Sequence, residues 1–258
     1  MSTFLFDKTV FGPVKSRRLG VSLGINLLPT NSKVCTFDCI YCECGWTDKG
    51  SNVGVLPTRE DVISKLEGVL TERSQKNLPI DAITFAGNGE PTMHPAFVEI
   101  VEDTLKLRQR LFPGARISIL SNATLVHKPR IFHVLQKVDD NILKLDSGIE
   151  ATIKKINCPL GNFNLDTLIE SLKKFQGNLT IQSMFIKGEY DGYKVDNTTD
   201  EEISAWLSAI KEIGPKRIMV YTIARETAAE GIEAVSKDEL EQIAEKARSL
   251  GIEVLVSS

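Results

Sequence analysis

The sequence has little excess of charge of either sign, few cysteines and no long hydrophobic run. Its 31 Lys and Arg nearly balance its 34 Asp and Glu, and the net charge of -3 excludes a globally basic nucleic-acid-binding protein. No apolar run approaches the roughly 18 residues of a membrane-spanning helix. Residues 1–10 contain Asp7 and Lys8 and lack the apolar core of a signal peptide. These absences predict a cytoplasmic protein that does not associate with membranes.

The 258 residues also lack internal repeats, low-complexity tracts and the composition shifts that mark linkers. With 42% hydrophobic residues, the chain is long enough to bury a sizeable core. We therefore expect a single domain over 1–258, in which residues 1–34 form an N-terminal segment and the first strand.

Short apolar runs alternate with segments of helical periodicity along the chain. The pattern predicts strands over 21–28, 80–86, 116–120, 142–145, 179–186, 217–223 and 252–256, and helices over 58–72, 96–111, 128–136, 166–175, 200–213 and 237–250. Alternating strands and helices imply parallel pairing through right-handed crossovers. Six such units and a last strand predict an α/β fold, either a full or partial barrel or, as the alternative, a doubly wound open sheet. In both folds ligands bind at the carboxyl ends of the strands.

Four of the five cysteines lie within ten residues, in a loop over 35–45 that follows the first predicted strand. Cys35, Cys39 and Cys42 have the spacing C-x3-C-x2-C. Three thiolates can each ligate one iron of a cubane cluster and leave the fourth iron open to a small molecule. A zinc site formed by Cys39, Cys42 and Cys44 is the alternative, and Cys158 stands alone as a core or loop residue.

A second motif, Gly87-Asn88-Gly89-Glu90-Pro91, follows the strand predicted over 80–86. Glycines at a strand end allow positive φ, so that backbone carbonyls can approach a ligand such as an ammonium group. Asparagine tolerates the left-handed region better than most residues, so Asn88 between the two glycines does not weaken this interpretation. A plain strand-to-helix turn is the alternative interpretation.

The cysteine motif with Tyr41 directly before its last cysteine, followed by the glycine motif, resembles the signatures of the radical S-adenosylmethionine (SAM) superfamily. The resemblance implies a partial (βα)6 TIM-like barrel of the radical SAM type. It also implies that Cys35, Cys39 and Cys42 hold a [4Fe-4S] cluster whose open iron is chelated by SAM. Tyr41 would lie near the adenine, and the backbone over 87–90 would bind the SAM amino group.

Polar residues at later strand ends are further candidates for cofactor binding. Ser121 and Asn122 end the third predicted strand, and Asp146 ends the fourth, where this superfamily contacts the ribose. Gln182 lies within the apolar fifth strand, and Arg225 follows the sixth and could clamp a carboxylate. Each could instead be an ordinary hydrogen-bonded polar or surface residue. No catalytic residue is assigned, and the places to look for one are Lys144, Cys44 and Tyr221.

The segments 11–20, 22–29 and 42–45 resemble small bacterial and archaeal Fe-S oxidoreductases classified near the tRNA wyosine synthases. Archaeal wyosine synthases carry a further cysteine triad, for which Cys44 and Cys158 are too few. tRNA modification is therefore the alternative function. It requires basic residues around the mouth of the barrel to bind the RNA backbone, and Lys15, Arg17 and Arg18 could form part of such a rim.

The resemblance implies an enzyme that cleaves SAM to methionine and a 5′-deoxyadenosyl radical, with an electron supplied by a flavodoxin- or ferredoxin-type reductant. The radical would abstract hydrogen from an unidentified substrate, a small molecule rather than tRNA or a protein.

The polar segment 187–199 is predicted to be a lid loop, with a plain solvated loop as the alternative. An alternative from another class is a non-catalytic Fe-S or zinc module.

Overall fold

A computed structural model describes residues 4–16, 20–48 and 53–257. Its strands are β1 (Val10–Ser16), β2 (Gly20–Ile25), β3 (Ala82–Phe85), β4 (Arg116–Ser121), β5 (Asp140–Lys144), β6 (Thr180–Met184), β7 (Ile186–Tyr190), β8 (Tyr193–Asp196), β9 (Arg217–Tyr221), β10 (Ile232–Ala234) and β11 (Glu253–Ser257). Its helices are α1 (Arg59–Gln75), α2 (Phe97–Leu111), α3 (Pro129–Leu135), α4 (Glu150–Ile156), α5 (Leu165–Lys173), α6 (Asp200–Ile213) and α7 (Lys237–Arg248), with a short 3-10 helix (Pro91–Met93). None of these described helices is both long enough and apolar enough to cross a membrane.

The central sheet has eight strands in the order β1-β2-β3-β4-β5-β6-β9-β11. β1 is antiparallel to β2, and the other neighbouring pairs are parallel. Helices connect successive parallel strands, as the alternation in the sequence predicts. Within the described residues β1 and β11 are the two ends of the sheet, so the barrel is open. The prediction of a partial (βα)6 TIM-like barrel is confirmed.

The two faces of the strands differ in character because side chains alternate along a strand. On one face, apolar residues such as Leu23, Ile83 and Ile181 join the main hydrophobic core with the helices. The other face carries polar groups deep in the barrel. There the Ser22 and Thr84 hydroxyls lie 2.7 Å apart in a hydrogen bond. The interior of the barrel is therefore partly hydrophilic.

The helix ends follow the capping signals of the sequence. α6 spans the predicted residues, because the Thr199 hydroxyl accepts a hydrogen bond from the Glu202 amide at its start. At its end Gly214 takes the left-handed conformation, with φ 61°.

The prediction of a loop over 187–199 is wrong. The segment forms the β7–β8 hairpin, and β10 pairs with β7 to complete a three-stranded antiparallel sheet. The two residues between the strands, Asp191 and Gly192, both have positive φ, 51° and 75°. An Asp-Gly pair at these angles is typical of a tight hairpin turn, so a local signal was present in the sequence.

Two further elements, β1 and α4, are absent from the sequence-based prediction. β1 contains Gly12 and Pro13, which interrupt an alternating pattern, and its register with β2 shifts between Phe11 and Val14. Proline is tolerated there because β1 is an edge strand. α4 is only seven residues long, too short for its periodicity to be distinctive.

Candidate functional site

The cysteine loop packs onto residues that follow several parallel strands. Val34, just before it, forms a parallel bridge with Gly89, which lies beyond β3. Within the loop the Ile40 amide donates to the Ile156 carbonyl (3.0 Å), and the Ile40 carbonyl accepts from the Ala229 amide (2.9 Å). The loop therefore lies at the carboxyl ends of the strands, as the barrel fold predicts for a functional site.

The cysteine sulfurs accept hydrogen bonds from amide groups. Cys35 Sγ lies 3.5 Å from Asn122 Nδ2 and 3.4 Å from the Phe37 amide. Cys39 Sγ lies 3.4 Å from Asn157 Nδ2. Amide donors of this kind stabilise thiolate ligands and tune the reduction potential of a metal centre. Asn122, which the sequence analysis proposes as a SAM-binding residue, thus contacts a cysteine that the same analysis assigns to the cluster.

The three cysteines differ in acidity. Burial raises the pKa of Cys35 to about 12 and that of Cys39 to about 11. The pKa of Cys42 is lowered to about 6, chiefly by a hydrogen bond from the Cys44 thiol and also by the nearby Lys33 ammonium. Because the same hydrogen bond favours the protonated Cys44, the pKa of that thiol is raised.

In the iron-free protein at pH 7, we expect iodoacetamide to modify Cys42 at least about tenfold faster than Cys35 or Cys39, because the thiolate is the nucleophile. The Cys42 rate should fall as the pH drops through about 6. Peptide mapping by mass spectrometry after timed labelling measures each rate. Equal rates at the three cysteines would contradict the prediction.

The donor set fits an iron-sulfur cluster. Within residues 4–16, 20–48 and 53–257, no three His, Cys, Asp or Glu side chains are arranged to hold a single metal ion. A cubane cluster requires a different arrangement of ligands, because each thiolate ligates its own iron and the sulfurs need not converge on one point. The Cys44 thiol also contacts the glycine motif, since it lies 3.6 Å from the Gly87 carbonyl. The zinc alternative with Cys44 as a ligand gains no support.

The glycine motif packs tightly against the chain that leads into the cysteine loop. A Cβ at Gly87 would lie 2.3 Å from Asn26 Oδ1, and one at Gly89 would lie 1.9 Å from the Val34 carbonyl oxygen. Gly89 also has φ 133°. Hydrogen bonds from the Val34 amide to the Asn88 carbonyl (2.9 Å) and from the Glu90 amide to the Val34 carbonyl (3.0 Å) join the two segments. The glycines thus permit the contact between the motif and the cysteine loop.

Asn88 does not adopt the left-handed conformation that asparagine tolerates, because its φ is not positive. Its buried side chain instead forms long-range hydrogen bonds. Its Nδ2 donates to the Phe6 carbonyl (3.0 Å) and the Pro29 carbonyl (2.8 Å), and its Oδ1 accepts from the Phe6 amide (2.8 Å). Asn88 therefore ties the N-terminal segment to the glycine motif.

The Glu90 carboxylate is buried and surrounded by protein donors. It accepts from the Thr92 amide and hydroxyl (3.1 and 2.5 Å), the Ser121 hydroxyl (2.8 Å) and the Asn122 amide (2.6 Å). Burial raises the pKa of Glu90, and these hydrogen bonds oppose that rise. Three predicted site residues, Glu90, Ser121 and Asn122, are thus joined in one network that reaches Cys35.

A second network surrounds Tyr41. Its hydroxyl donates to Asp146 Oδ2 and lies 2.8 Å from Lys144 Nζ and 2.9 Å from Asn157 Nδ2. Lys144 Nζ also lies 3.3 Å from the Tyr221 hydroxyl. Burial opposes the charge of Lys144, but Asp146 and Tyr221 outweigh it and raise the lysine pKa. The Lys144 ammonium therefore lies beside Tyr41, the residue that the resemblance places near the adenine.

The remaining predicted residues lie near these networks or at the rim. Gln182 is in register with Lys144 on the adjacent strand and is buried, whereas Ser183 points to the other face and accepts from Trp206 Nε1 (3.0 Å). Arg225 is exposed and donates to Glu43 Oε2 in the cysteine loop (2.6 Å).

Of the basic residues considered for RNA binding, Lys15 is exposed, and Arg17 and Arg18 lie outside the described residues.

Sequence reasoning missed Lys33, Asn26 and Asn157. Asn26 Oδ1 accepts from the Leu28 and Asn88 amides (both 3.1 Å) and so shapes both loops. Asn157 contacts Cys39 and Tyr41 across more than a hundred residues of sequence. Lys33 is two residues from Cys35, and this closeness in sequence was its only signal.

A family model described as the radical SAM superfamily matches residues 32–196. The chain belongs to the radical SAM superfamily. The matched span includes the cysteine loop and the glycine motif, so the family predicted from these two motifs is confirmed. Radical SAM enzymes use a [4Fe-4S] cluster, SAM and an external reductant.

Two bacterial proteins are similar in sequence over most of the chain. The chain is 30% identical over 244 residues to the GTPase Obg of Brachyspira hyodysenteriae, an alignment that covers 92% of this chain and 33% of that protein. It is 31% identical over 209 residues to the UPF0026 protein slr1464 of Synechocystis, with 78% and 71% covered. Because the chain spans only about a third of the first relative, the activity named for that longer protein is not assigned to it.

Solved structures of radical SAM enzymes have the same fold. A radical SAM methyltransferase from Sphaerobacter thermophilus superposes with a TM-score of 0.67 at 12% identity, over 92% of this chain and 65% of that chain. Archaeal TYW1 superposes with a TM-score of 0.51 at 14% identity, over 88% and 71%. At such identities the likeness concerns the fold alone.

Proposed function

We propose that this protein is a radical SAM enzyme in which Cys35, Cys39 and Cys42 hold one [4Fe-4S] cluster and SAM binds at its open iron. When bound and reduced, the cluster supplies one electron that cleaves SAM into methionine and a 5′-deoxyadenosyl radical, which abstracts hydrogen from the substrate. The observation that carries the proposal is the position of the three-cysteine loop against the glycine motif, with amide groups donating to Cys35 and Cys39.

The residues around the loop have distinct parts in this proposal. The Glu90 carboxylate orients Ser121 and Asn122 through hydrogen bonds and so positions the groups beside Cys35. Asp146 holds the Tyr41 ring at the opposite side of the loop. The residues proposed to bind or position SAM are Tyr41, Gly87, Asn88, Gly89, Glu90, Ser121, Asn122, Asp146, Gln182 and Arg225.

We propose that the β7–β8 hairpin is a lid over the site. It is an ordered pair of strands and not the loop that the sequence predicts. The Tyr190 ring stacks on Trp46, just beyond the cysteine loop, at 5.9 Å between centroids and 28° between planes. This contact supports the proposal because the hairpin reaches the residue that directly follows the cysteine loop. A lid that excludes water would protect a radical intermediate from side reactions.

The substrate is proposed to be a small polar molecule bound at the mouth of the barrel. Two observations support this class: the hydroxyls on the inner face of the sheet, and the Lys144 ammonium beside Tyr41. We further propose a single catalytic domain in the cytoplasm, with a flavodoxin- or ferredoxin-type protein as its reductant.

Anaerobic reconstitution tests the proposed function. The protein is loaded with iron and sulfide, reduced with dithionite and incubated with SAM, and 5′-deoxyadenosine is measured by chromatography and mass spectrometry. We expect a reducible [4Fe-4S] cluster and 5′-deoxyadenosine that forms only when SAM and reductant are both present. A reducible cluster that gives no product and whose spectrum does not respond to SAM would instead favour a non-catalytic Fe-S module.

A further inference from the structure

The cysteine loop encloses a buried cation that the reaction described above does not use. The side chain of Lys33 is 1% exposed. Its ammonium donates to the Gly45 carbonyl (2.8 Å) and to Asp38 Oδ1 (3.2 Å). Because Asp38 lies between the first two cysteines and Gly45 follows the last, the ammonium is surrounded by the cysteine loop.

The charge of Lys33 acts on all three predicted ligands. Cys42, Cys35 and Cys39 each interact electrostatically with the ammonium. Asp38 is the counter-charge, and its Oδ1 also accepts from the Thr47 amide (2.7 Å). Transfer of a lysine ammonium from water to a buried site is unfavourable unless nearby charges and acceptors compensate for the lost hydration. The compensating groups here are one carboxylate, one carbonyl and the thiol groups of the predicted ligands.

We propose that Lys33 is a positioning residue that raises the reduction potential of the cluster, and that Asp38 moderates this effect. The inference rests on the proposed function. One-electron reduction adds a negative charge to the cluster, so a fixed positive charge close to the thiolates stabilises the reduced form more than the oxidised form. A neighbouring carboxylate offsets part of that field. The pair sets how readily an external reductant can deliver its electron.

The two charges predict shifts of opposite sign. In Lys33→Met, we expect the equilibrium constant for cluster reduction to fall about tenfold, which is about 59 mV for one electron. In Asp38→Asn, which keeps a carbonyl oxygen for the Thr47 amide, we expect it to rise. Lys106→Met is the matched control, because that lysine is 77% exposed on α2 and pairs with Asp103. Its removal changes the net charge equally and should leave the potential unchanged.

The measurement is a redox titration of the reconstituted protein without SAM, followed by electron paramagnetic resonance and normalised to iron content. A purely structural role would not move the midpoint potential in opposite directions in the two variants. Unchanged potentials, or shifts of the same sign, would overturn the inference. If Lys33→Met fails to retain the cluster, Asp38→Asn decides alone: a higher potential supports the inference and an unchanged or lower one overturns it.

The outcome is separable from that of the proposed function. Wild-type protein that forms 5′-deoxyadenosine while the variants keep the wild-type potential would overturn only the role of Lys33. Wild-type protein without a reducible cluster would overturn both.

Discussion

Replacement of Cys42 by alanine is expected to reduce 5′-deoxyadenosine formation to the level of the protein without iron. The variant loses one of the three thiolates, and no other cysteine has the spacing to replace it. Cys44 is the nearest in sequence, but its thiol is directed to the Gly87 carbonyl and to Cys42 itself. Product is measured after anaerobic reconstitution, with iron and sulfide content determined on the same samples.

The chain offers two matched controls for this prediction. Cys44→Ala and Cys158→Ala each remove one thiol outside the C-x3-C-x2-C motif, and both variants should retain the cluster and form product. The Cys158 thiol lies 3.3 Å from the Lys155 carbonyl. Product from Cys42→Ala at the wild-type rate, or an equal loss in Cys44→Ala, would show that the ligand assignment is wrong.

Replacement of Gly89 by alanine is expected to lower the free energy of unfolding by about 3 kcal/mol, from backbone strain and overpacking together. Gly89 has φ 133°, and the new Cβ would lie 1.9 Å from the Val34 carbonyl oxygen. That carbonyl cannot move without disturbing its hydrogen bond from the Glu90 amide. We therefore also expect the contact between the glycine motif and the cysteine loop to break, and product formation to fall with it.

Denaturant unfolding of the iron-free protein measures the stability change, and the reconstituted variant is assayed for product. Gly68→Ala is the control, since a Cβ there meets no atom within 4 Å in the interior of α1. That substitution should stabilise the protein by up to about 1 kcal/mol, because alanine is the better helix former. Wild-type stability in Gly89→Ala would contradict the close packing of the motif.

The sequence by itself determined the order of strands and helices in the barrel and the two motifs that place the chain in its superfamily. Periodicity was sufficient for the barrel elements because each helix buries one face on the sheet and each strand is bounded by turn residues. α6 begins and ends at the predicted residues because Thr199 and Gly214 cap it. The cysteine spacing is a local property, so it too could be read without a structure.

Only the tertiary structure decided how the site is assembled. The Asn88 side chain binds the Phe6 and Pro29 carbonyls, contacts that no local pattern encodes. Asp191-Gly192 was a local signal for the hairpin over 186–196, but the pairing of its first strand with β10 depends on the tertiary structure. Lys33 and Asn157 gained their positions beside the cysteines through folding. A short sequence motif specifies which atoms could bind a cluster, but burial, charge and long-range hydrogen bonds depend on neighbours that only the folded chain brings together.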